Sequence, residues 1–278
     1  MNFGIQKMAL SFACAAALIF TACDSDSSSA NNLLSSGDEE IASSSSVTGS
    51  SSGKANWAYL NQDISYGEFT DDRDGQVYKT VVIGMQTWMA ENLNYADSIA
   101  SPVLEGKSWC YGNSADSCAK YGRLYTWAAA IDSVSLYNDK DIDCGYYKTC
   151  TLPDSVYGVC PEGWHLPTRV EWYALYNFVD DEQNVGVGMA LKAKSGWTGY
   201  SVSVTPTGKD AYGFSALPAG LRDSNGEFYF VCSVAYFLSS SEYDSSDVYG
   251  RYLGYYDENF NNTWNNKNFA YSVRCLKN

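Results

Sequence analysis

His165 is the only histidine in the chain, and it lies in the stretch CPEGWHLPTRVEW, from Cys160 to Trp172. A Ser-His-Asp or Cys-His catalytic arrangement would therefore have to use this side chain. The stretch contains no obvious nucleophile, and its other residues have a structural explanation. Thr168 and Glu171 have the spacing of a helix capping box, and the two tryptophans would bury large apolar areas. We therefore expect His165 to belong to a scaffold and not to a catalytic centre.

Other residue types in the chain could also support catalysis. Cys232 could be a redox-active thiol, but no close second cysteine follows it, and we interpret it as a buried side chain. Glu242 with Asp244, or Asp257 with Glu258, are the residue types of a glycosidase carboxylate pair. A chain with 32 Asp and Glu residues offers many such pairs, so we interpret them as solvated loop charges. We predict no catalytic residue.

Aromatic residues are abundant, and with 23 Tyr, 11 Phe and 8 Trp they form 15% of the chain. Much of this area must be core, but the rest could form flat platforms for sugars or peptides, since tyrosine and tryptophan join apolar area to a hydrogen-bonding tip. The region from Ser239 to Asn268 stands out. Its candidate ligand-binding residues are Glu242, Tyr243, Asp244, Tyr255, Tyr256 and Trp264. The alternative is an aromatic-clad strand pair without a ligand.

Metal-binding patterns in the chain are weak. Asp71, Asp72 and Asp74 could ligate calcium, but the downstream glutamate of a helical calcium loop is missing, so a plain turn is favoured. The cysteines form no C-x-x-C pair that would suit zinc. We expect neither a metal nor a cofactor.

Residues 1–22 have the organisation of an export signal. Lys7 supplies a positive charge, and Met8 to Phe20 is apolar but too short to span a bilayer as a helix. The signal ends in FTAC at Cys23, and this pattern resembles a bacterial lipoprotein signal with Cys23 as the lipidated residue. The alternative is an ordinary secretory signal with a chance cysteine. Acylation would provide a stable membrane anchor.

The mature chain is expected to begin with a tether and to continue as one domain. Residues 23–55 are rich in serine and acid and lack the apolar residues that offset ordering entropy, so we predict a disordered tether. Residues 56–278 form the predicted folded domain. The net charge is −14, and because Lys7 is the only charged residue before Cys23, the mature chain carries −14 − 1 = −15. Such a surface repels nucleic acid, which we exclude as a partner.

Seven cysteines remain after Cys14 and Cys23, and an exported chain is expected to form disulfides. Six cysteines allow fifteen pairings. We expect Cys110–Cys118 and Cys144–Cys150 as local loops and Cys160–Cys275 as a closure of most of the domain. This scheme assigns no partner to Cys232.

The elements that must position these residues are of mixed type. Val77 to Ile83 and Gln86 to Met89 read as a hairpin, and Asn225-Gly226 predicts a second one. An apolar stripe from Leu124 to Ile131 predicts a helix, another helix is expected to start at Thr168, and a short helical piece is expected at Met189–Lys194. Further strands are predicted at Ser233–Ser239, at Val248–Tyr256 and at the end of the chain, where Phe269, Tyr271, Val273 and Cys275 alternate onto one face. The pattern indicates an α+β fold with two or three helices on short antiparallel strands and long loops.

Six blocks of the sequence together resemble the Fibrobacter succinogenes major paralogous domain. They are DGQVYKTVVIGMQTWMAENLNYA, WCYGNSADSCAKYGRLYTWAAA, CPEGWHLPTRVEWYAL, LKAKSGW, GFSALPAGLRDSNGEF and YSVRCLK, and they extend from about Asp72 to Lys277. Members of that family are typically exported or lipid-anchored bacterial proteins of unknown biochemical role. The family is similar in fold to the C-type lectin-like superfamily, and WHLPTRVEW also resembles a block of formylglycine-generating enzymes.

The resemblance implies a C-type lectin-like fold in which the WHLPTRVEW block leads into a structural helix and the long loops before the last strand carry the ligand. The calcium site of lectins is not carried over, because no proline has the neighbours that its motif requires. We therefore expect a lipid-anchored protein of the bacterial cell envelope, at the outer membrane or cell surface. Its domain is expected to be a non-catalytic recognition module for polysaccharide or an envelope protein. The alternatives are a formylglycine-generating-like enzyme and a structural or adhesion protein without a small ligand.

Overall fold

The computed structural model describes residues 54–182, 185–198 and 208–278 of the chain. The predicted signal peptide (1–22), Cys23 and nearly all of the predicted tether (23–55) lie outside the described residues. Within them the chain is of mixed α and β type, with few helices and two curled, mainly antiparallel sheets. This agrees with the predicted α+β class.

The secondary structure consists of short elements. In chain order the strands are β1 (Gly67–Thr70), β2 (Val77–Ile83), β3 (Gln86–Met89), β4 (Ser108–Trp109), β5 (Leu124–Thr126), β6 (Trp164–His165), β7 (Leu221–Arg222), β8 (Phe228–Tyr229), β9 (Val234–Glu242), β10 (Asp247–Gly254), β11 (Asn261–Asn266), β12 (Ala270–Ser272) and β13 (Leu276–Lys277). The α-helices are α1 (Ala115–Tyr121), α2 (Trp127–Ala130), α3 (Ser133–Lys140), α4 (Arg169–Glu182) and α5 (Val187–Leu191). Short 3-10 helices span Ala55–Tyr59, Pro102–Leu104 and Tyr111–Asn113.

The first sheet joins the beginning of the described chain to its end, in the order β1-β2-β3-β13-β6. The predicted hairpin is present as β2 and β3, and it turns at Gly84, whose φ of 61° suits a residue without a side chain. Strand β13 lies between β3 and β6 and pairs with both. The position of β6, and with it His165, is therefore set by the C-terminal segment.

The second sheet has the main order β11-β10-β9-β12-β5-β4, and β7 pairs with β12 and with β8. The hairpin predicted at Asn225-Gly226 joins β7 to β8, and Gly226 has a φ of 97°. The strands predicted at Ser233–Ser239 and Val248–Tyr256 appear as β9 and β10, with shifted ends.

The helix predicted over Leu124–Ile131 is wrong in its first half. Leu124–Thr126 is strand β5, which pairs with β12 on one side and β4 on the other. Thr126 then caps the short helix α2 by accepting a hydrogen bond from the Ala129 amide. The distant strands β12 and β4 decide the conformation, because two rows of backbone hydrogen bonds outweigh a local helical stripe. The helical piece predicted at Met189–Lys194 is displaced toward the N-terminus, as α5 ends at Leu191.

Helix α4 starts directly after Thr168, as predicted, and it packs its apolar face into the core. Leu175 and Val179 are fully buried, and Trp172 is 1% exposed. The Trp172 ring lies against Trp88 at a centroid distance of 4.6 Å and against Phe237 at 5.7 Å. Truncating a buried tryptophan costs about 3–5 kcal/mol, so this side chain is a main anchor of the fold.

The end of the chain is buried on both faces, which a simple alternation does not reveal. Tyr271, Val273 and Cys275 contribute to one core cluster as predicted. Ser272 and Arg274 on the opposite face are 0% and 1% exposed. The reason is that the segments around Asn92 and Phe214 cover this second face and hydrogen-bond to Ser272 and Arg274.

Three disulfides in the described residues have the pairings expected from the sequence. They join Cys110 to Cys118, Cys144 to Cys150 and Cys160 to Cys275. The expectation for Cys232 is corrected, because this residue is also disulfide-bonded.

Candidate functional site

His165 is buried and both of its ring nitrogens have polar neighbours. Nε2 lies 2.9 Å from Glu171 Oε1, and Nδ1 lies 2.7 Å from Asn278 Oδ1. The backbone of His165 pairs with Leu276 of β13. The histidine therefore links the start of α4 to the C-terminal segment.

Glu171 is the second half of this link. Its carboxylate accepts a hydrogen bond from the Thr168 amide at 2.8 Å, and its own amide donates to Thr168 Oγ1 at 3.2 Å, which completes the capping box. Burial disfavours the charged form of both partners. Hydrogen bonds outweigh this effect of burial. The bonds of His165 to Glu171 and Asn278 raise the pKa of His165, and the bonds of Glu171 to His165 and Thr168 lower the pKa of Glu171.

Arg274 forms the centre of a buried polar network, which is not predictable from the sequence pattern. Its Nε and Nη2 donate to Asn92 Oδ1 at 3.0 and 2.8 Å, and Nη1 donates to the carbonyls of Phe214 and Met89. The Asn92 side chain donates in turn to the Tyr121 carbonyl. Burial lowers the pKa of Arg274. The network fixes three distant segments in one place, which is a structural role.

Asp210 lies beside this network and is fully buried. Its carboxylate accepts hydrogen bonds from the amide and the hydroxyl of Ser215 at 2.7 and 2.6 Å. Burial raises the pKa of Asp210 to about 6, although the bonds from Ser215 favour the charged form. Asp210 and Ser215 both have a positive φ, so the segment between them is tightly constrained.

The acidic segment that could have bound calcium forms a turn. Asp71 is buried and makes an ion pair with Arg73, and its carbonyl accepts the Gly75 amide. Arg73 also stacks over the Tyr95 ring at 3.9 Å. Within residues 54–182, 185–198 and 208–278, no three His, Cys, Asp or Glu side chains are grouped so as to hold a metal ion.

The structure divides the six predicted ligand-binding residues between the two ends of β10. Glu242, Tyr243 and Asp244 precede its start, and Trp264 of β11 pairs near this end. Tyr255 and Tyr256 follow its last residue, Gly254. Eight residues of strand separate the two groups by about 25 Å, so they do not form one compact site.

The two acidic members of the set have structural partners. Glu242 forms an ion pair with the buried Lys267 and accepts the Cys150 amide at 3.0 Å. Asp244 accepts the amides of Ser246 and Asp247 and so closes the β9–β10 turn. Both carboxylates are therefore occupied in holding the hairpin and the Cys144–Cys150 loop together.

Tyr243 and Trp264 form an exposed stacked pair. Their ring centroids are 5.7 Å apart with an interplanar angle of 17°, and the side chains are 47% and 63% exposed. The sheet register places Tyr249 directly opposite Trp264, and the Tyr249 ring meets Tyr243 edge to face at 5.1 Å. Three aromatic rings thus share one surface at the turn end of the β9–β10 hairpin.

Helix α4 extends this surface with residues that sequence reasoning missed. Arg169 lies over the Tyr249 ring at 4.2 Å and over the Tyr173 ring at 5.3 Å, and its guanidinium donates to the Tyr173 hydroxyl. That hydrogen bond lowers the pKa of Tyr173. We call Tyr243, Tyr249, Trp264, Arg169 and Tyr173 the aromatic platform. The pairing of β10 with β11 could have identified Tyr249, but the length of the turn between these strands cannot be determined from the sequence.

The aromatic platform is suited to bind an extended polar ligand. Exposed flat rings offer apolar area to the carbon face of a sugar, while the tyrosine hydroxyls, the Trp264 indole and the Arg169 guanidinium supply hydrogen bonds at the rim. The arginine lies over two rings and donates a hydrogen bond of 3.4 Å to Tyr173, contacts that reduce the side-chain entropy lost on binding. The arrangement therefore places aromatic faces and hydrogen-bonding groups side by side on one exposed surface.

The sequence model of the family described as the Fibrobacter succinogenes major domain matches residues 81–277, which is more than half of the chain. The chain belongs to this family. No curated protein and no solved structure matches the chain.

The matched region covers most of the structure described above, but β1 and the Asp71–Arg73 turn precede it. It begins in β2 and ends in β13, and so contains His165, Arg274 and the aromatic platform. The described part of the chain contains no helix that is long and apolar enough to cross a membrane.

Proposed function

We propose that this protein is a lipid-anchored protein of the bacterial cell envelope, displayed at the outer membrane or cell surface, whose domain recognises polysaccharide without catalysis. Cys23 is the proposed anchor, residues 23–55 are the proposed tether, and residues 56–278 are the proposed recognition domain. The observation that carries the proposal is the exposed, stacked pair of Tyr243 and Trp264.

We also propose that the domain has a C-type lectin-like fold. Two features support this assignment. The C-terminal strand β13 pairs with the early strand β3, so the two ends of the domain meet in one sheet. The aromatic platform lies on the hairpin and strand that precede the last two strands, which is where lectin-like folds carry ligands.

The environment of the reactive residue types supports a non-catalytic role. His165 has both ring nitrogens engaged by Glu171 and Asn278, which suits a structural residue. Cys232, which a formylglycine-generating-like enzyme would use as a thiol, is disulfide-bonded. The alternative of an adhesion protein shares the exposed platform but would use it for a protein partner.

A polysaccharide array tests the proposal. The full chain, purified in detergent, should be retained by at least one cellulose, hemicellulose or envelope polysaccharide, and Tyr243→Ala with Trp264→Ala should abolish retention. Tyr137→Ala is the matched control, because Tyr137 is also exposed but lies on α3. Retention on no polysaccharide at any salt concentration, or equal retention of the platform variant, would contradict the proposal.

The anchor is tested by a separate experiment. Cys23→Ser should move the protein from the membrane fraction to the soluble fraction. A variant that stays in the membrane fraction would remove Cys23 as the anchor but would leave the platform untouched.

A further inference from the structure

A second candidate binding site lies at the β4 edge of the second sheet, whereas the aromatic platform lies toward the β11 edge. It is a cleft of about 540 Å³ between the edge strand β4, the β7–β8 hairpin and the Cys144–Cys150 loop. This volume is within the usual range for small-molecule sites. We call it the basic cleft because of the side chains that line it.

The charge of the basic cleft is opposite to that of the chain. Lys107, Lys148 and Arg222 line it, and none of the described residues that line it is an aspartate or a glutamate. The whole chain has 32 acidic and only 18 basic residues, so an all-basic lining is unexpected from composition. The cleft is therefore a local positive site on an acidic surface.

Two of the three cations are not neutralised by carboxylates. Lys148 pairs with Asp143, but neither Lys107 nor Arg222 makes an ion pair with another described residue. Arg222 Nη1 has one long hydrogen bond of 3.4 Å to the Asp223 carbonyl, and the buried Nε has no acceptor among the described residues. The buried Nε cannot reach a ligand, but Nη2 makes no hydrogen bond to another described residue, so the end of the guanidinium remains available to an anion.

Aromatic and amide groups accompany the cations. The Arg222 guanidinium stacks on the Trp109 ring at 3.9 Å, which fixes its position. Tyr146 adds a second half-buried ring, and Asn268 and Ser224 supply neutral hydrogen-bonding groups. A bare inorganic anion needs only the cations, whereas a ring that bears hydroxyl groups would also use the aromatic and amide groups.

We propose that the basic cleft binds a sugar that carries a carboxylate. The carboxylate contacts Arg222 and Lys107, and the sugar ring packs against Trp109 and Tyr146. The surrounding negative charge repels a densely charged polyanion over about 10 Å at moderate salt. The cleft therefore favours isolated uronic acid units on an otherwise neutral chain over a polyuronate.

The basic cleft is held rigidly and is connected to the aromatic platform. The Tyr147 amide donates to the Ser245 carbonyl at 2.8 Å, and the buried Lys267 binds both the Lys148 carbonyl and Glu242. The loop that forms one wall of the cleft is thus fastened to the hairpin that carries the platform. The cleft does not depend on the platform for its own ligand, so the two proposals can fail independently.

Binding of defined sugars to the full chain in detergent tests the cleft. In ligand-observed NMR titrations, glucuronic acid and disaccharides of glucuronic acid linked to a neutral sugar should bind. Glucose at equal concentration should bind at least ten-fold more weakly. Arg222→Ala and Lys107→Gln should each weaken uronate binding at least ten-fold. Lys107→Gln keeps the test valid if the arginine variant fails to fold, since Lys107 does not stack on Trp109.

Two controls separate this proposal from others. Lys209→Ala removes an exposed lysine outside the cleft and should leave uronate binding unchanged, and Tyr243→Ala with Trp264→Ala should also leave it unchanged. Displacement of the uronate by equimolar inorganic phosphate, equal binding of glucose, or unchanged binding in Lys107→Gln would each overturn the proposal.

Discussion

Removal of the Cys160–Cys275 disulfide should cost more stability than removal of either short disulfide. This bond closes a loop of 115 residues and joins the segment before β6 to the segment before β13. In the chain-entropy description, closing a loop of n residues removes about 2.1 + 3.0 ln n cal/mol/K from the unfolded state. At 298 K this is about 5 kcal/mol for the long loop. For the six-residue separation of Cys144 and Cys150 it is about 2 kcal/mol.

The assay is denaturant unfolding of the oxidised protein, followed by tryptophan fluorescence. The Cys160→Ala, Cys275→Ala double variant should lose about 5 kcal/mol, and the Cys144→Ala, Cys150→Ala double variant serves as the control with a loss of about 2 kcal/mol. Both long-loop cysteines are buried, so the lost sulfur contacts add to the larger value. Equal losses, or a larger loss for the short loop, would refute the claim that the C-terminal strand is tied to the His165 segment through this bond.

Three further perturbations test other parts of the scaffold. Glu171→Gln should lower the free energy of unfolding more at pH 5.5 than at pH 9. The raised pKa of His165 stabilises the fold below about pH 6.5, and this contribution is lost as pH rises through the folded pKa; the lowered pKa of Glu171 stabilises the fold above about pH 4.5. Urea unfolding at both pH values checks this, and an equal penalty at the two pH values would contradict it. The stability of the wild-type protein should fall by on the order of 1–3 kcal/mol as pH rises from about 4 to 6, since burial raises the folded pKa of Asp210 and favours its protonated form. Asp210→Asn should remove this fall. Stability curves of equal slope for the wild-type protein and the variant would show that Asp210 is not the cause. Gly158→Ala should destabilise the protein by more than about 2 kcal/mol in thermal unfolding, because the residue has a φ of 55° and a Cβ would overlap the Ala130 carbonyl; an unchanged melting temperature would be inconsistent with this packing.

Local features of the fold could be predicted from the sequence because their causes are local. The β2–β3 hairpin depends on Gly84 and its flanking β-branched residues, and the start of α4 depends on the capping pair of Thr168 and Glu171. In both cases the residues that decide the conformation are within a few positions of each other. Disulfides with short loops, such as Cys110–Cys118, belong to the same class.

Features that depend on distant partners could not be predicted. Leu124–Thr126 carries a helical stripe but becomes a strand because β4 and β12 hydrogen-bond to it. Arg274 looks like a surface residue in the pattern, yet it is buried by segments around Asn92 and Phe214.

The candidate site shows the same limit. Composition predicts Tyr243 and Trp264 as candidates, whereas Arg169 lies beside them only because α4 contacts β10. Tyr255 and Tyr256 are close to Tyr243 in sequence, but the length of β10 separates them from it in the structure.

The most direct test of the recognition role is the affinity of the purified full chain for a soluble form of the polysaccharide that the array selects. Isothermal titration calorimetry should show binding by the wild-type protein and by Tyr137→Ala. Trp264→Ala should lose at least about five-fold in affinity, since truncating an aromatic anchor of a binding surface costs about 1 kcal/mol or more. Hydrolysis of the polysaccharide during the titration, or an affinity that Trp264→Ala leaves unchanged, would contradict a non-catalytic binding role for the aromatic platform.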